Sequence, residues 1–316
     1  MALSGSTDFT LSAAKVVEKA FSLLGVKAAE QPLTASERED GQEALNIMLK
    51  YWVANGYHLW TKTQGVLFTQ TGKTDYLLGA TGDHACLYDD FVATTTTSAI
   101  ISGSAVIPVT SSTGMSASDY VGIKLSDGTR QWSTIASVDS STQITLDDNL
   151  TGAASTGTSV FTYTSIVERP LRILNARRKL YGFDDEIMCV ELSNDDYFNM
   201  SLKSSQGTIT SYYYQPVLGN GRMYLWQTSD NVDQLVYFTF CRTIQDIDEQ
   251  SNNLDVPVEW LDAVTYNLAA RLADDYNAPA NKVETVLFKA GAFLKTLKEW
   301  DVNNTSVQIV PSYGDY

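Results

Sequence analysis

The chain has 316 residues, 44% of them hydrophobic, which is enough for a buried core in one large domain or two to three modest ones and excludes wholesale disorder. A formal net charge of −15 excludes a broad basic face for gripping phosphate backbones, and the one cationic cluster, Arg177-Arg178-Lys179, reads as a solvated face. No apolar run approaches membrane-spanning length, and Met1 to Thr10 carries no basic-plus-apolar signal, so a cytoplasm-like place of synthesis is expected, with no membrane contact.

The first predicted element is a helix over Thr10 to Leu24. Ala13, Val16, Val17, Ala20, Phe21 and Leu24 form its apolar face, and Gly25 stands where a left-handed cap belongs. Thr34-Ala35-Ser36-Glu37 is a capping-box signature, in which two side chains satisfy each other's free backbone N–H. Leu45, Met48, Leu49 and Trp52 follow at helical spacing, and Asn55-Gly56 ends this second helix. The period then changes, and Gly65 to Gln70 and Thr74 to Leu78 read as strands joined by a hairpin turn at Thr71-Gly72-Lys73. Gly72-Lys73-Thr74 also closes many phosphate-binding loops. Such a loop needs glycine where Leu67 stands and must open a helix, so no nucleotide site is expected.

From Val92 to Tyr163 the chain is dominated by Ser, Thr, Gly and Ala with short β patterns, including a hairpin around Ser126-Asp127-Gly128. This reads as a small all-β module inserted in the main body, with Thr94 to Thr97 as linker or edge strand. The main body resumes at Arg169-Pro170-Leu171. Asn194 to Tyr197 starts a short helix, and aromatic-rich strands cover Thr208 to Gln215, Arg222 to Gln227 and Gln234 to Arg242, with a turn at Gly219-Asn220-Gly221. After an acidic loop, Asp246 to Asp255, Pro257 fits the first turn of a helix running through Trp260, Val264, Leu268 and Leu272 to Tyr276. A last helix spans Lys282 to Trp300, with Val286, Phe293, Leu294 and Leu297 inward. Asn303 to Tyr316 has no helical period and is expected to be an extended apolar tail that pairs with a partner.

Chemistry-bearing patterns are sparse. Cys86, Cys189 and Cys241 are too few and too scattered for a disulfide framework and are expected as free buried thiols. His58 and His84 give no metal spacing, and His84-x-Cys86 has no second pair. The adjacent carboxylates Glu39/Asp40, Asp184/Asp185, Asp195/Asp196 and Asp274/Asp275 do not face each other across a cleft merely by being neighbours. Asp246-x-Asp248-x-x-x-Asn252 fails as a calcium loop, with Ser251 for the turn glycine and Pro257 for the bidentate glutamate. No catalytic, cofactor-binding or metal-ligating residue is assigned.

The segment Leu254 to Tyr276, LDVPVEWLDAVTYNLAARLADDY, resembles the P-x-E-W…N-L-A-x-x-L-A-x-x-Y pattern of head-to-tail adaptor proteins of short-tailed phages, also called packaged-DNA stabilisation or head-completion proteins. The opening helices, the strand–turn–strand of Phe68 to Gly79, Arg169 to Ile173, Asp196-Tyr197, Gly207, Tyr213-Tyr214 and Tyr224-Leu225-Trp226 follow in similar order. The likeness covers most of the chain except the inserted module. It implies a non-enzymatic subunit of a homo-oligomeric ring, typically a dodecamer, at the head–tail junction of a virion, made in the host cytoplasm. The portal protein would lie above it and the tail nozzle protein below, and DNA would pass through the channel without sequence-specific binding. The resemblance maps portal binding onto Val307, Ile309, Val310, Pro311, Tyr313 and Tyr316. A contact between the insertion and tail fibres is left open. So are two other readings: a glycan- or receptor-binding tail component using Val92 to Tyr163, and a cell-wall hydrolase.

The expected fold class is α+β: a helical bundle of an N-terminal hairpin and two C-terminal helices, an antiparallel β region and the inserted all-β module. The segments are 1–91, 92–163, 164–256, 257–302 and 303–316.

Overall fold

The computed structural model describes residues 9–27, 31–56 and 59–300. The fold is α+β. Its helices are α1 (Ala13–Leu24), α2 (Ala35–Ala54), α3 (Asn194–Phe198), α4 (Leu261–Leu272) and α5 (Ala280–Trp300). The chain divides into two compact units, residues 1–61 with 244–316, and residues 62–243. Both ends of the sequence thus build one helical core, while residues 62–91, expected as the first strands of the main body, belong to the β unit. Among the described residues, no helix is long and apolar enough to cross a membrane.

In the helical unit, local signals and packing agree. All six predicted apolar positions of α1 are buried, and Gly25 takes the left-handed conformation at φ 68°. Thr34 and Glu37 form the reciprocal capping box of α2, Thr34 N–H donating to Glu37 Oε2 at 2.7 Å and Glu37 N–H to Thr34 Oγ1 at 3.3 Å. Where α2 crosses α1, Gly41 is the close-approach residue: a Cβ there would sit 2.4 Å from Val17 Cγ1. Pro257 leads into a short 3₁₀ turn, Val258–Trp260, and then α4. Trp260 is fully buried between the rings of Trp60 at 4.4 Å and Trp52 at 5.8 Å. Asn267 Nδ2 donates to Ala263 O and across to Ala290 O of α5. Tyr276 sets its ring edge on Phe21 and donates its hydroxyl to Asp40. The acidic loop is a strap: Gln42 and Asn46 donate to Ile247 O, and Lys50 donates to Ile244 O and pairs with Asp246 at 2.7 Å.

The β unit opens with β1 (Lys62–Phe68), β2 (Asp75–Leu78) and β3 (Ala85–Leu87). The insertion supplies β4 (Val92–Thr95), β5 (Val106–Pro108), β6 (Tyr120–Lys124), β7 (Arg130–Ser140), β8 (Gln143–Leu146) and β9 (Ser159–Tyr163). Then follow β10 (Arg172–Leu180), β11 (Glu186–Glu191), β12 (Gln206–Gly207), β13 (Ser211–Gln215), β14 (Gly221–Trp226), β15 (Thr228–Ser229) and β16 (Gln234–Cys241). The main sheet runs β2-β14-β13-β11-β10-β16-β1-β3 and is antiparallel except for one parallel pair, β11 with β13. The insertion forms its own antiparallel sheet, β4-β9-β6-β7-β8-β5, with its own core, and a Thr96–Val109 bridge joins its two edges.

Two sequence features gain their reason here. β16 and the second half of β1, Gly65 to Phe68, are buried almost continuously rather than on alternate residues because both faces of the sheet are covered there. Leu67, Val236 and Phe238 point into one core, and Val66, Phe68, Leu235 and Tyr237 into another beneath Phe161 and Tyr163 of the insertion. The expected hairpin at Gly72-Lys73 is corrected. The turn exists, with Gly72 at φ 74°, but β1 pairs with β16 and β3 while β2 pairs with β14 at the far edge. The turn carries the chain between opposite edges of a curled sheet.

Gly41→Ala is expected to destabilise the protein. Helix propensity favours alanine by up to about 1 kcal/mol, but overpacking against the β-branched Val17 costs about 1–3 kcal/mol. Urea unfolding should show a net loss, partly recovered when Val17→Ala is added. A gain in stability for Gly41→Ala alone would show that the helices have room to separate.

Candidate functional site

Val307, Ile309, Val310, Pro311, Tyr313 and Tyr316, the predicted portal-binding residues, lie outside the described residues, as does His58. The other sequence candidates can be placed.

The Gly72-Lys73-Thr74 loop is committed to the fold. Gly72 N–H donates to Ser229 O at 2.9 Å, and the Lys73 ammonium pairs with the Asp83 carboxylate. Asp83 also accepts from Leu77 N–H at 2.8 Å and returns its own N–H to Leu77 O at 2.7 Å. The adjoining His84 carbonyl accepts from Phe68 N–H at 3.1 Å. One loop therefore ties β2 and β1, which lie near opposite edges of the sheet. Lys73 is neutralised, and no helix N-terminus follows it to receive phosphate.

The densest polar cluster lies at the root of the insertion. Asp233, just before β16, accepts from Lys124 at 2.6 Å, Arg130 at 2.8 Å and Ser159 Oγ at 2.5 Å. The Arg130 side chain is 1% exposed and stacks its guanidinium 3.9 Å from the Phe161 ring centroid. Burial pulls its pKa down to about 10, with Asp233 opposing, so it stays charged near neutrality. Beside it, His84 stacks on Trp132 at 3.9 Å, and its Nδ1 lies 2.6 Å from the Tyr163 hydroxyl. Burial holds His84 neutral, lowering its pKa to about 4; Lys73 adds to this and Asp83 opposes it.

Lys124 and Arg130 are the only cations in residues 92–163, and both turn inward to Asp233. The outward carboxylates Asp127, Asp139, Asp147 and Asp148 are each held by serine or threonine hydroxyls: Thr129; Ser137 with Thr145; Thr134; and Ser133. The Ser/Thr-rich composition thus yields a negative, hydroxyl-lined surface. Sequence reading missed this arrangement, although the signal, two cations in the whole insertion, was countable.

Of the paired carboxylates, Asp40 and Asp275 line one groove beside α2, and the others are placed separately. Asp196 belongs to the capping box of α3, Asp40 holds Tyr276, and Asp184 with Asp185 sits exposed in the β10–β11 turn. Glu37, Asp127 and Asp139 are shifted, and all three are lowered: Glu37 by Lys27 and Thr34, to about 2, Asp127 by Thr129, and Asp139 by Ser137, Thr145 and Gln143. A general acid needs the opposite shift. Among the described residues, no group of three or more His, Cys, Asp and Glu side chains converges as metal ligands would. The three cysteines are free and buried, as expected.

Asp233→Asn should cost about 3–5 kcal/mol, because it leaves a buried guanidinium without its carboxylate, and adding Arg130→Met should recover part of that loss. Denaturant unfolding of the two variants checks both steps. The His84 shift has a definite sign. Its folded pKa lies below the unfolded value, so the stability it confers is complete above pH 6.5 and is lost as pH falls towards 4. The full swing is about 3 kcal/mol. A His84→Gln variant should lose stability less steeply than the wild type between those values, and parallel curves would contradict the assignment.

No protein-family model matches the chain, and no curated protein matches it.

Proposed function

We propose that this protein is a structural head-to-tail adaptor of a phage virion: one subunit of a ring beneath the portal, surrounding the DNA channel and linking to the tail nozzle. The observation that carries the reading is where the resembling motif falls. Trp260, Asn267, Leu268 and Tyr276 are the residues that hold the four long helices together, through the tryptophan cluster, the Asn267 bond to α5 and the Tyr276 bond to α2. A motif that fixes a bundle, with no reactive group at its centre, suits a building block whose task is shape.

Charge supports the same reading. A ring through which DNA slides works best without cations that grip phosphates. The two cations of the insertion are turned inward, and Lys73 is paired with Asp83. The same surface argues against the insertion as a receptor for polyanionic envelope glycans, since it would meet them with four exposed carboxylates.

Electron microscopy of the protein mixed with the portal ring of the same virion tests this proposal. The full chain should add a ring to the portal, and a chain ending at Asn303 should not. Equal binding by both would remove the tail from the contact, and binding by neither would remove the adaptor reading. Deleting residues 92–163 is expected to damage folding rather than a separable attachment function, because it strips the cover from Val66, Phe68, Leu235 and Tyr237. A deletion protein with unchanged melting temperature would contradict that.

A further inference from the structure

The helical unit carries two uncovered faces that complement each other, and we infer that they form the contact between neighbouring copies, α5 of one on α2 of the next. The inference rests on the ring reading above and assigns its subunit interface.

On α2, Glu39, Asp40, Glu43, Ile47, Tyr51 and Ala54 recur at three- and four-residue spacing and are all exposed, so they form one stripe along the helix. Its first half is acidic, and its second half carries Ile47 and Tyr51, 46% and 62% exposed. Lys50, beside the stripe, is drawn away to Asp246. Shallow grooves of about 540 and 570 Å³ flank the helix, both lined by Glu43 and Ile47. Asp40 and Asp275 outweigh Arg271 in the first, and Glu39 and Asp248 meet no cation in the second.

α5 shows the opposite character. It buries Val286, Ala290 and Leu297, yet leaves Leu287 and Phe288 54% and 78% exposed. Gly291, Ala292 and Lys295 continue that exposed face. Four lysines, 282, 289, 295 and 298, outnumber Glu284 and Glu299, a local positive excess in a chain of net charge −15.

Copies of so acidic a chain repel unless the touching surfaces differ in sign. α2 against α2 sets carboxylate on carboxylate, and α5 against α5 sets lysine on lysine. Only the mixed pair joins opposite charges while covering both apolar patches. Register agrees as well. Asp40 lies seven residues before Ile47, and Lys295 seven residues after Phe288. In an antiparallel pairing, seating Ile47 on Phe288 therefore brings Asp40 level with Lys295, about 10 Å along the axis. Each outer helix packs on α1 and α4. With α2 on one neighbour and α5 on another, as the ring reading requires, the contact is head-to-tail, and repeating it gives a closed ring or an open filament.

Cysteine trapping tests the contact, since the native thiols are buried. Full-length Ile47→Cys and Phe288→Cys are oxidised separately and as an equimolar mixture. The mixture should give covalent dimers, each variant alone should stay at background, and one chain carrying both changes should give a ladder of multimers. Lys295→Glu should cut the yield about fivefold, and Asp40→Lys on the other partner should restore it. Self-linking of Phe288→Cys as strong as the mixed reaction, or no mixed product, overturns the proposal. A Leu287→Asp/Phe288→Asp chain with an unchanged melt, offered to the portal ring, separates the two readings. A complete ring from this chain discards the α2–α5 contact and keeps the adaptor. If the wild type also fails to bind the portal, the adaptor reading fails, and the trapping result alone decides the contact.

Discussion

A strand whose consecutive side chains are all apolar must be covered on both faces, and the β unit is organised around that constraint. Val66, Leu67 and Phe68 are all buried, Leu67 in one core and its neighbours in the other. The insertion is therefore the second cover of the main sheet rather than an appendage. Burying Phe68 brings Phe161, Tyr163 and Trp132 within ring contact. That closeness drives Arg130 out of water, and a buried guanidinium demands Asp233. The cation-free outer surface of the insertion follows from the aromatic packing at its base, because the residues that might have faced solvent are used to close the root.

Much of this was legible in order along the chain, and little of it across the chain. The capping box at Thr34, the left-handed cap at Gly25 and the Asp-Gly turn after Leu125 each depend on residues within a few positions of one another. Local chemistry decides them. The Gly72 turn was half legible. Its glycine specifies a tight turn, but whether the flanking strands pair depends on β14 and β16, more than 140 residues later. Asp233 likewise has no local mark. It is one carboxylate among many until the fold brings it to Lys124 and Arg130. The predicted tail residues lie outside the described residues, and the helix faces inferred above are a separate surface, for contact between copies rather than with the portal. The periodic exposure of α2 was implicit in the same 3.6-residue count that located its core.

Two kinds of charge use coexist in the molecule. Inside, single carboxylates act as structural hubs: Asp83 closes the curled sheet and Asp233 roots the insertion. In both, one acid serves several donors, which fixes geometry more firmly than a lone surface pair does. Outside, the carboxylates are left in excess. On the insertion their partners are neutral hydroxyls, which hold the side chains in place without cancelling the charge.

That division shapes how such a chain can associate with itself. Long-range repulsion between subunits of net charge −15 is screened beyond roughly 8–10 Å at physiological salt, so it slows wrong encounters more than it weakens a close contact. A close contact then needs apolar area and a local reversal of sign. Leu287 and Phe288 beside Lys295, facing Ile47 and Tyr51 beside Asp40 and Glu43, supply both on surfaces that the subunit's own core does not use. In the ring proposed above, an acidic exterior and one basic helix are compatible parts of one design: the first would keep free subunits and DNA apart from the walls, and the second would give the walls a single way to join.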